Sequence, residues 1–266
     1  MRIVLLTSDQ RRHRYAAWSL AQSLDLAGIV CEPKPTSAGA PAPELAGEEA
    51  EIVRRHFRER DEVESRLLGE PTFPSVERLE VPAGEINGDA VFRWVSERRP
   101  SLLVLYGTRI VKDPLLAAWP GRIVNLHLGL SPYYRGSGTN FWPLVRRQPE
   151  CVGATIHLAV REVDAGPVLA QVRPAAQKSD RCHELGTRTL MRGLADLPGV
   201  LRLYAGGELE PVAQDLARGQ VFRNRDFHAD AVREMWEHFD TGMMAEYLDL
   251  VGQRRAAYPI VEVPAA

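Results

Sequence analysis

The chain has 266 residues, 45% hydrophobic and 26% charged, with a formal net charge of −2 at pH 7. That is enough apolar material for a substantial core, and the near-neutral balance lacks the basic excess expected of a nucleic-acid binder. Only three cysteines occur, Cys31, Cys151 and Cys182, with no CxxC spacing, which argues against a disulfide framework or a thiolate zinc site and fits a reducing cytoplasm.

The chain opens on a short apolar run, residues 3–6, and passes directly to Ser8, Asp9 and the basic cluster Arg11, Arg12, His13 and Arg14. The run is too short for a signal-peptide core or a membrane span, and charges, Pro or Gly interrupt every later one, so a soluble protein with no membrane partner is expected. It reads instead as a buried parallel strand. Ala17, Leu20, Ala21 and Leu24 recur at helical spacing, Gly28 stands as their stop signal, and residues 29–31 supply a second strand. Residues 32–43, rich in Pro, Gly, Ala and Ser, predict a loop. Residues 44–68 are densely charged, with Leu45, Ile52, Val53, Phe57, Val63 and Leu67 spread like one helical stripe. They predict a long helix or helix pair, inserted against the main sheet in a structural role, its charges forming a solvated face.

Residues 91–98 read as an amphipathic helix, and 102–106 as a strand buried on both faces and ended by Gly107. Residues 123–128, 154–160 and 168–172 predict three further strands. A loop of Gly, Ser, Pro and Tyr follows the first, and the turn Asp164-Ala165-Gly166-Pro167 joins the other two. A helical pattern over 185–203 closes the core. The fold class is therefore α/β: a mainly parallel, twisted, Rossmann-like sheet with helices on both faces, a helical insertion and a small C-terminal extension. The expected division is a catalytic core over 1–205 and a partly helical extension over 206–266, with a helix at 229–249 and an irregular tail.

In such sheets ligands bind beyond the carboxyl ends of the strands, which directs attention to the residues after Leu6, Tyr106 and Val124 and to the turn after Val160. Several patterns are missing: GxxxxGK[ST], HExxH, GxSxG around Ser131, and GxGxxG after the first strand, where Thr7-Ser8-Asp9-Gln10 stands. Gly136-Ser137-Gly138 lacks the third glycine. Nucleotide hydrolysis, zinc proteolysis, serine hydrolysis and dinucleotide oxidoreduction all lose support.

What remains is Asn125-Leu126-His127 at the end of a buried strand. Strand period two puts Asn125 and His127 on one side, and Asp164 is available from a turn that permits close backbone approach. Singly these read as a loop cap, a core histidine and a turn aspartate. Together they suit acyl transfer to an amine, with Asn a donor to an oxyanion, His a stabiliser or proton shuttle, and Asp the group that orients His. His157 alternates with Thr155 and Ala159 inside a strand and reads as structural; Ser131 reads as a loop former. Arg135 suits either an anion contact or a loop pin, Trp142 either core or cleft, and Arg11, Arg12 and Arg14 either helix solubility or an anionic ligand.

At these residues the chain resembles the folate-dependent formyltransferase family, which includes glycinamide ribonucleotide formyltransferase, methionyl-tRNA formyltransferase and the sugar N-formyltransferases. The resemblance rests on Asn125-Leu126-His127 with Ser131-Pro132-Tyr133-Tyr134-Arg135-Gly136, and on Gly153-Ala154-Thr155-Ile156-His157 running on to Asp164-Ala165-Gly166-Pro167-Val168-Leu169-Ala170-Gln171. It covers roughly residues 1–203 and is weakest in the charged insertion. Where the family commonly has Leu-Leu-Pro between the His and the Tyr, this chain has Gly129-Leu130-Ser131-Pro132, a departure on the acceptor side of the loop.

The resemblance implies Asn125, His127 and Asp164 as the catalytic trio, 10-formyltetrahydrofolate as co-substrate, and no metal. It also implies that the pterin lies against Tyr106, Gly107, Thr108, Arg109, Ile110 and Val111, and against Ala159, Val160, Arg161, Glu162 and Val163, largely through backbone. Ser8, Tyr133, Arg135 and Trp142 are candidate acceptor contacts. The expected function is formyl transfer to a primary amine of a small molecule, a nucleotide-linked amino sugar or natural-product amine. Alternatives are 10-formyltetrahydrofolate hydrolysis, formylation of methionyl-tRNA, and a non-catalytic folate-binding module. Methionyl-tRNA formyltransferases carry a sizeable C-terminal barrel, which residues 206–266 do not resemble, so a nucleic-acid substrate is disfavoured. Hydrolases of the family usually carry an N-terminal regulatory domain. The amphipathic tail suits a homodimer contact.

Overall fold

The computed structural model describes residues 1–34 and 46–263. Most of the loop expected at 32–43, and the first two residues of the helix expected at 44–68, lie outside the described residues.

The chain opens with β1 (Arg2–Thr7), α1 (Arg11–Ala21), β2 (Asp25–Cys31) and α2 (Gly47–Leu68). There follow β3 (Arg78–Glu80), α3 (Asp89–Arg98), β4 (Leu102–Leu105), α4 (Leu115–Ala118), β5 (Ile123–His127), β6 (Tyr134–Gly136) and α5 (Trp142–Val145). The antiparallel strands β7 (Ala154–Leu158) and β8 (Val168–Val172) lead into α6 (Cys182–Ala205), and β9 (Gln220–Phe222), α7 (Ala229–Asp240), α8 (Met243–Asp249) and α9 (Val251–Ala256) complete the chain.

Seven strands form one sheet in the order β3-β2-β1-β4-β5-β7-β8. The first five run parallel, β7 runs antiparallel to β5, and β8 reverses again. Because successive strand residues face opposite ways, β1 splits its apolar run between two cores. Ile3 and Leu5 pack under α1 and α6 with Ala17, Leu20, Leu194 and Leu197. Val4 and Leu6 pack on the other face with Val91 and Val95 of α3 and Leu115 and Trp119 around α4. Each such fully buried aliphatic side chain stabilises the fold by roughly 1.5–3 kcal/mol. Helices cover both faces of a mainly parallel sheet, as the sequence implies.

Several local expectations are corrected. Gly28 is not a helix stop but an interior residue of β2, where an added Cβ would lie 2.5 Å from Cη2 of Trp94 on α3. It is the close approach of α3 that requires a glycine there. The helix expected over 229–249 is interrupted at Gly242, whose φ of +90° separates α7 from α8. Strands β6 and β9, three residues each and set in stretches read as loop and irregular tail, pair with one another in parallel.

Beyond Ala205 the chain folds back on the core. Together with α5 and the start of α6 it forms a third apolar cluster, built from Tyr134, Trp142, Phe222, Val232, Met235, Met244 and Tyr247. Val261 then exchanges backbone and side-chain hydrogen bonds with Gln171 of β8.

Candidate active site

Asn125 and His127 occupy alternate positions at the carboxyl end of β5, and Asp164 reaches them from the connection between β7 and β8. The carboxylate receives a hydrogen bond from Asn125 Nδ2 at 3.2 Å, faces His127 Nδ1 at 3.3 Å, and accepts from the backbone N–H of Gly136 at 2.9 Å. On its far side His127 meets the carbonyl of Tyr134, Nε2 to O 3.2 Å. Both ring nitrogens thus face acceptors, an arrangement that serves an imidazolium. Burial pushes the proton affinity of His127 down, and Asp164 recovers only part of the loss, so that the net shift is downward. For Asp164, burial alone would raise the carboxyl. The charge of His127, the neighbouring His157 ring and the Gly136 N–H outweigh that and hold it well below the usual carboxylate range.

His157, read from the sequence as structural, belongs to this constellation. It is the cross-strand partner of Asn125, and its Nε2 lies 3.1 Å from Asn125 Nδ2 and 3.5 Å from Asp164 Oδ1. Its Nδ1 faces the Leu158 carbonyl at 2.8 Å, so Nδ1 carries the proton there and Nε2 accepts from the Asn125 amide. Nothing local in the sequence announces this; it follows from the β5–β7 register.

Glycines shape the surrounding loops. A Cβ at Gly129 would lie 2.5 Å from His127 Nε2 and 2.6 Å from Thr139 Cβ, so a glycine at this position lets the loop close over the histidine. A Cβ at Gly166 would lie 1.8 Å from the Leu158 carbonyl oxygen, which accounts for the glycine two residues after Asp164.

The trio opens into a cleft of about 1490 Å³. Tyr106, Gly107, Thr108, Arg109, Ile110 and Val111 line one wall, and Ala159, Val160, Arg161, Glu162 and Val163 stand beside them. Ile110 and Val160 are exposed apolar side chains there. Arg135 and Trp142 also line the cleft; Arg135 makes no ion pair among the described residues, and Trp142 stacks on Phe222 with ring centroids 5.1 Å apart.

Two proposed acceptor contacts lie elsewhere. Ser8 is fully buried with its hydroxyl donating to Asp9, and Tyr133 turns away from the cleft to donate to the Pro259 carbonyl at 2.8 Å and pack edge-on against Tyr258. Tyr133 thereby anchors the C-terminal tail. Ser131 holds the loop through its backbone, which bonds Thr155 and Gln171.

The 44–68 segment contributes more than a solvated face. Val53, His56, Phe57, Arg60 and Glu64 form a helical stripe of α2 that walls the cleft. Glu64 is buried against Arg12, with Arg60 3.8 Å away, and Arg11 pairs with Asp61 and Glu70. Arg11 and Arg12 therefore tie α1 to α2. His56 and His183, from α2 and α6, sit with ring centroids 4.5 Å apart. Burial drives both imidazoles down, His56 to about 4, with Arg60 adding to the effect. The C-terminal segment also reaches the cleft through Val221, Phe222, Arg223, Asn224 and Phe227, which composition alone did not mark. Among the described residues no cluster of His, Cys, Asp and Glu is suited to a metal ion, and no helix is long and apolar enough to cross a membrane.

Residues 47–201, more than half of the chain, match the family model for formyl transferase. The chain belongs to this family. It is similar to the structure of glycinamide ribonucleotide transformylase 1 from Symbiobacterium toebii, at 21% identity and a TM-score of 0.55, covering 81% of this chain and 94% of that one. It is also similar to a sugar N-formyltransferase from Shewanella sp., at 15% identity and a TM-score of 0.54, covering 85% and 78%. At these identities the likeness concerns the fold. Among curated proteins, the trifunctional purine biosynthetic protein adenosine-3 of Gallus gallus is 30% identical over 122 residues, 46% of this chain but only 12% of that protein's length. The family match takes in Asn125, His127 and Asp164 together with the whole of α2.

Proposed function

We propose that this formyl transferase moves the formyl group of 10-formyltetrahydrofolate to a primary amine of a small acceptor, a nucleotide-linked amino sugar or a related natural-product amine. The observation that carries the reading is the convergence of Asn125, His127 and Asp164 within hydrogen-bonding reach at the mouth of the cleft. The donor is supported by the wall built from 106–111 and 159–163, where Ile110 and Val160 offer apolar surface that a planar ring would cover. The donor supplies an activated formyl group; the chemistry around it falls to the protein.

As an amine adds to the formyl carbon, negative charge develops on the formyl oxygen. Asn125 and His127 are the donors placed to receive it. Of the two Asn125 amide hydrogens, one faces His157 and the other is given to Asp164 at 3.2 Å; the oxyanion would take a share of the latter. Asp164 holds the proton on His127 and relays the proton released by the attacking nitrogen, directly or through water, to N10 of the folate as the bond from N10 to the formyl carbon breaks and the oxyanion collapses to the product amide. The three unpaired, buried thiols suit a reducing compartment, and the reading places the enzyme in the cytoplasm.

The test is mass spectrometry of a panel of nucleotide-linked amino sugars after incubation with the protein and 10-formyltetrahydrofolate. A formyl adduct on one acceptor is expected. Formate release at an undiminished rate without any acceptor, and no adduct on any, would make the protein a hydrolase instead.

A further inference from the structure

Asp164 adopts φ +48°, in the left-handed region that a residue with a Cβ enters at a cost of roughly 1–2 kcal/mol. Such a conformation persists only where its surroundings over-determine it. The side chain is held from the core by Asn125, His127 and Gly136. The backbone is held from outside the core by Gln214, in the segment that follows α6. Gln214 Nε2 donates to the Asp164 carbonyl at 3.0 Å and to the Gly166 carbonyl at 2.6 Å, spanning the turn. Two acceptors fix the amide's orientation, since the flipped amide would set oxygen against oxygen.

The segment carrying Gln214 is tied down on both sides. Val212 exchanges backbone hydrogen bonds with Val168 at the start of β8, at 2.7 and 2.8 Å. Further on, β9 pairs with β6, Phe222 lies opposite Gly136, and the Phe222 carbonyl accepts from Ser137 N at 2.9 Å. Gly136 is the residue whose N–H reaches the Asp164 carboxylate. One stretch, 212–222, therefore braces Asp164 twice, from its own backbone and through its N–H partner.

We propose that Gln214 is a positioning residue for Asp164, and that residues 212–222 of the extension are part of the apparatus that keeps the carboxylate against His127. Gln214 does not line the cleft, so it acts through the turn and not on substrate. The activity half of the test rests on the formyl-transfer reading; the titration half does not.

The variant is Gln214→Leu, which keeps the bulk and removes both donors. Displacing a reacting group by about 1 Å can cost on the order of 10²-fold in rate, so kcat for formyl transfer to a nucleotide-linked amino sugar should fall roughly 10- to 100-fold, with KM for 10-formyltetrahydrofolate moved by less than about 3-fold. The His127 imidazole, followed by NMR across pH, should titrate lower than in the parent protein, because the carboxylate charge that pulls it up has moved away. Gln214→Asn, which can reach only one of the two carbonyls, should fall between the two and serves if the leucine variant does not fold. A folded variant in which the His127 titration is unmoved overturns the proposal, whether or not activity has dropped. If the parent protein transfers no formyl group to any amine, the function proposed above fails while the titration still decides the role of Gln214.

Discussion

Asn125 carries the most exacting geometry in the site, since its single amide must be aimed by one partner and released by another. His157 does the aiming: in the neutral ring, with its Nδ1 proton given to Leu158, Nε2 accepts and the Asn125 amide turns toward it. His157→Leu removes that acceptor and frees the amide to rotate. A loss of kcat of roughly 10-fold or more is expected with the fold retained, because a misplaced oxyanion donor forfeits most of its value. Steady-state kinetics beside a circular dichroism spectrum checks this; unchanged kcat would assign His157 to packing alone. At this scale the convergence of Asn125, His127 and Asp164 was legible in the sequence, because strand alternation and a turn with glycine are local signals. His157 was not, because its role depends on which residue of β7 lies opposite Asn125. Ser8 and Tyr133 were misread for a related reason: position after a strand or within a motif does not say which way a side chain turns.

The elements that finish the site are short or came from stretches read as peripheral. β6 lies between two partners, offering the Tyr134 carbonyl to His127 and the Gly136 N–H to Asp164 while pairing with β9. Phe222 of β9 stacks between Tyr134 and Trp142, with ring centroids 5.6 and 5.1 Å apart. Gly136 has φ +91°, and a Cβ there would lie 2.1 Å from the Phe222 carbonyl oxygen, a backbone atom that cannot swing aside. Gly136→Ala should therefore part β6 from β9, lower stability by roughly 1–3 kcal/mol and reduce kcat, read from urea unfolding and initial rates. Full activity and stability would mean that the pairing of β6 with β9 is dispensable. Three-residue strands carry too few residues to show a period. The stripe of α2 did show one, yet periodicity tells that a helix has two faces and not that one of them walls a cleft.

Across the whole molecule, α1, α2, α6 and the C-terminal segment enclose a set of imidazoles kept neutral by burial. His13, His56 and His183 all have folded-state proton affinities below the free value. The unfolded chain then binds more protons than the folded one as the pH drops below about 6.5, so stability must fall in that direction. For His56, whose value drops from 6.5 to about 4, the linked loss across that window is roughly 3 kcal/mol. Urea midpoints should decline from pH 6.5 to 4, and His56→Phe, which fits among Phe57, Phe141 and Phe227, should decline less steeply. Parallel curves would place the acid sensitivity elsewhere. Six strands of the sheet and its two faces were readable from apolar runs and their spacing; the edge strand β3, three residues with a single apolar one, was not, nor was the folding back of the extension, which depends on contacts between residues far apart in the chain. The most direct measurement follows a carbon-13 formyl label from 10-formyltetrahydrofolate into an amine acceptor, with Asn125→Ala and His127→Ala beside the parent protein. The label should appear as an amide with the parent protein and be slowed roughly 10²- to 10³-fold in each variant at unchanged fold; transfer at the parent rate by either variant would contradict the account.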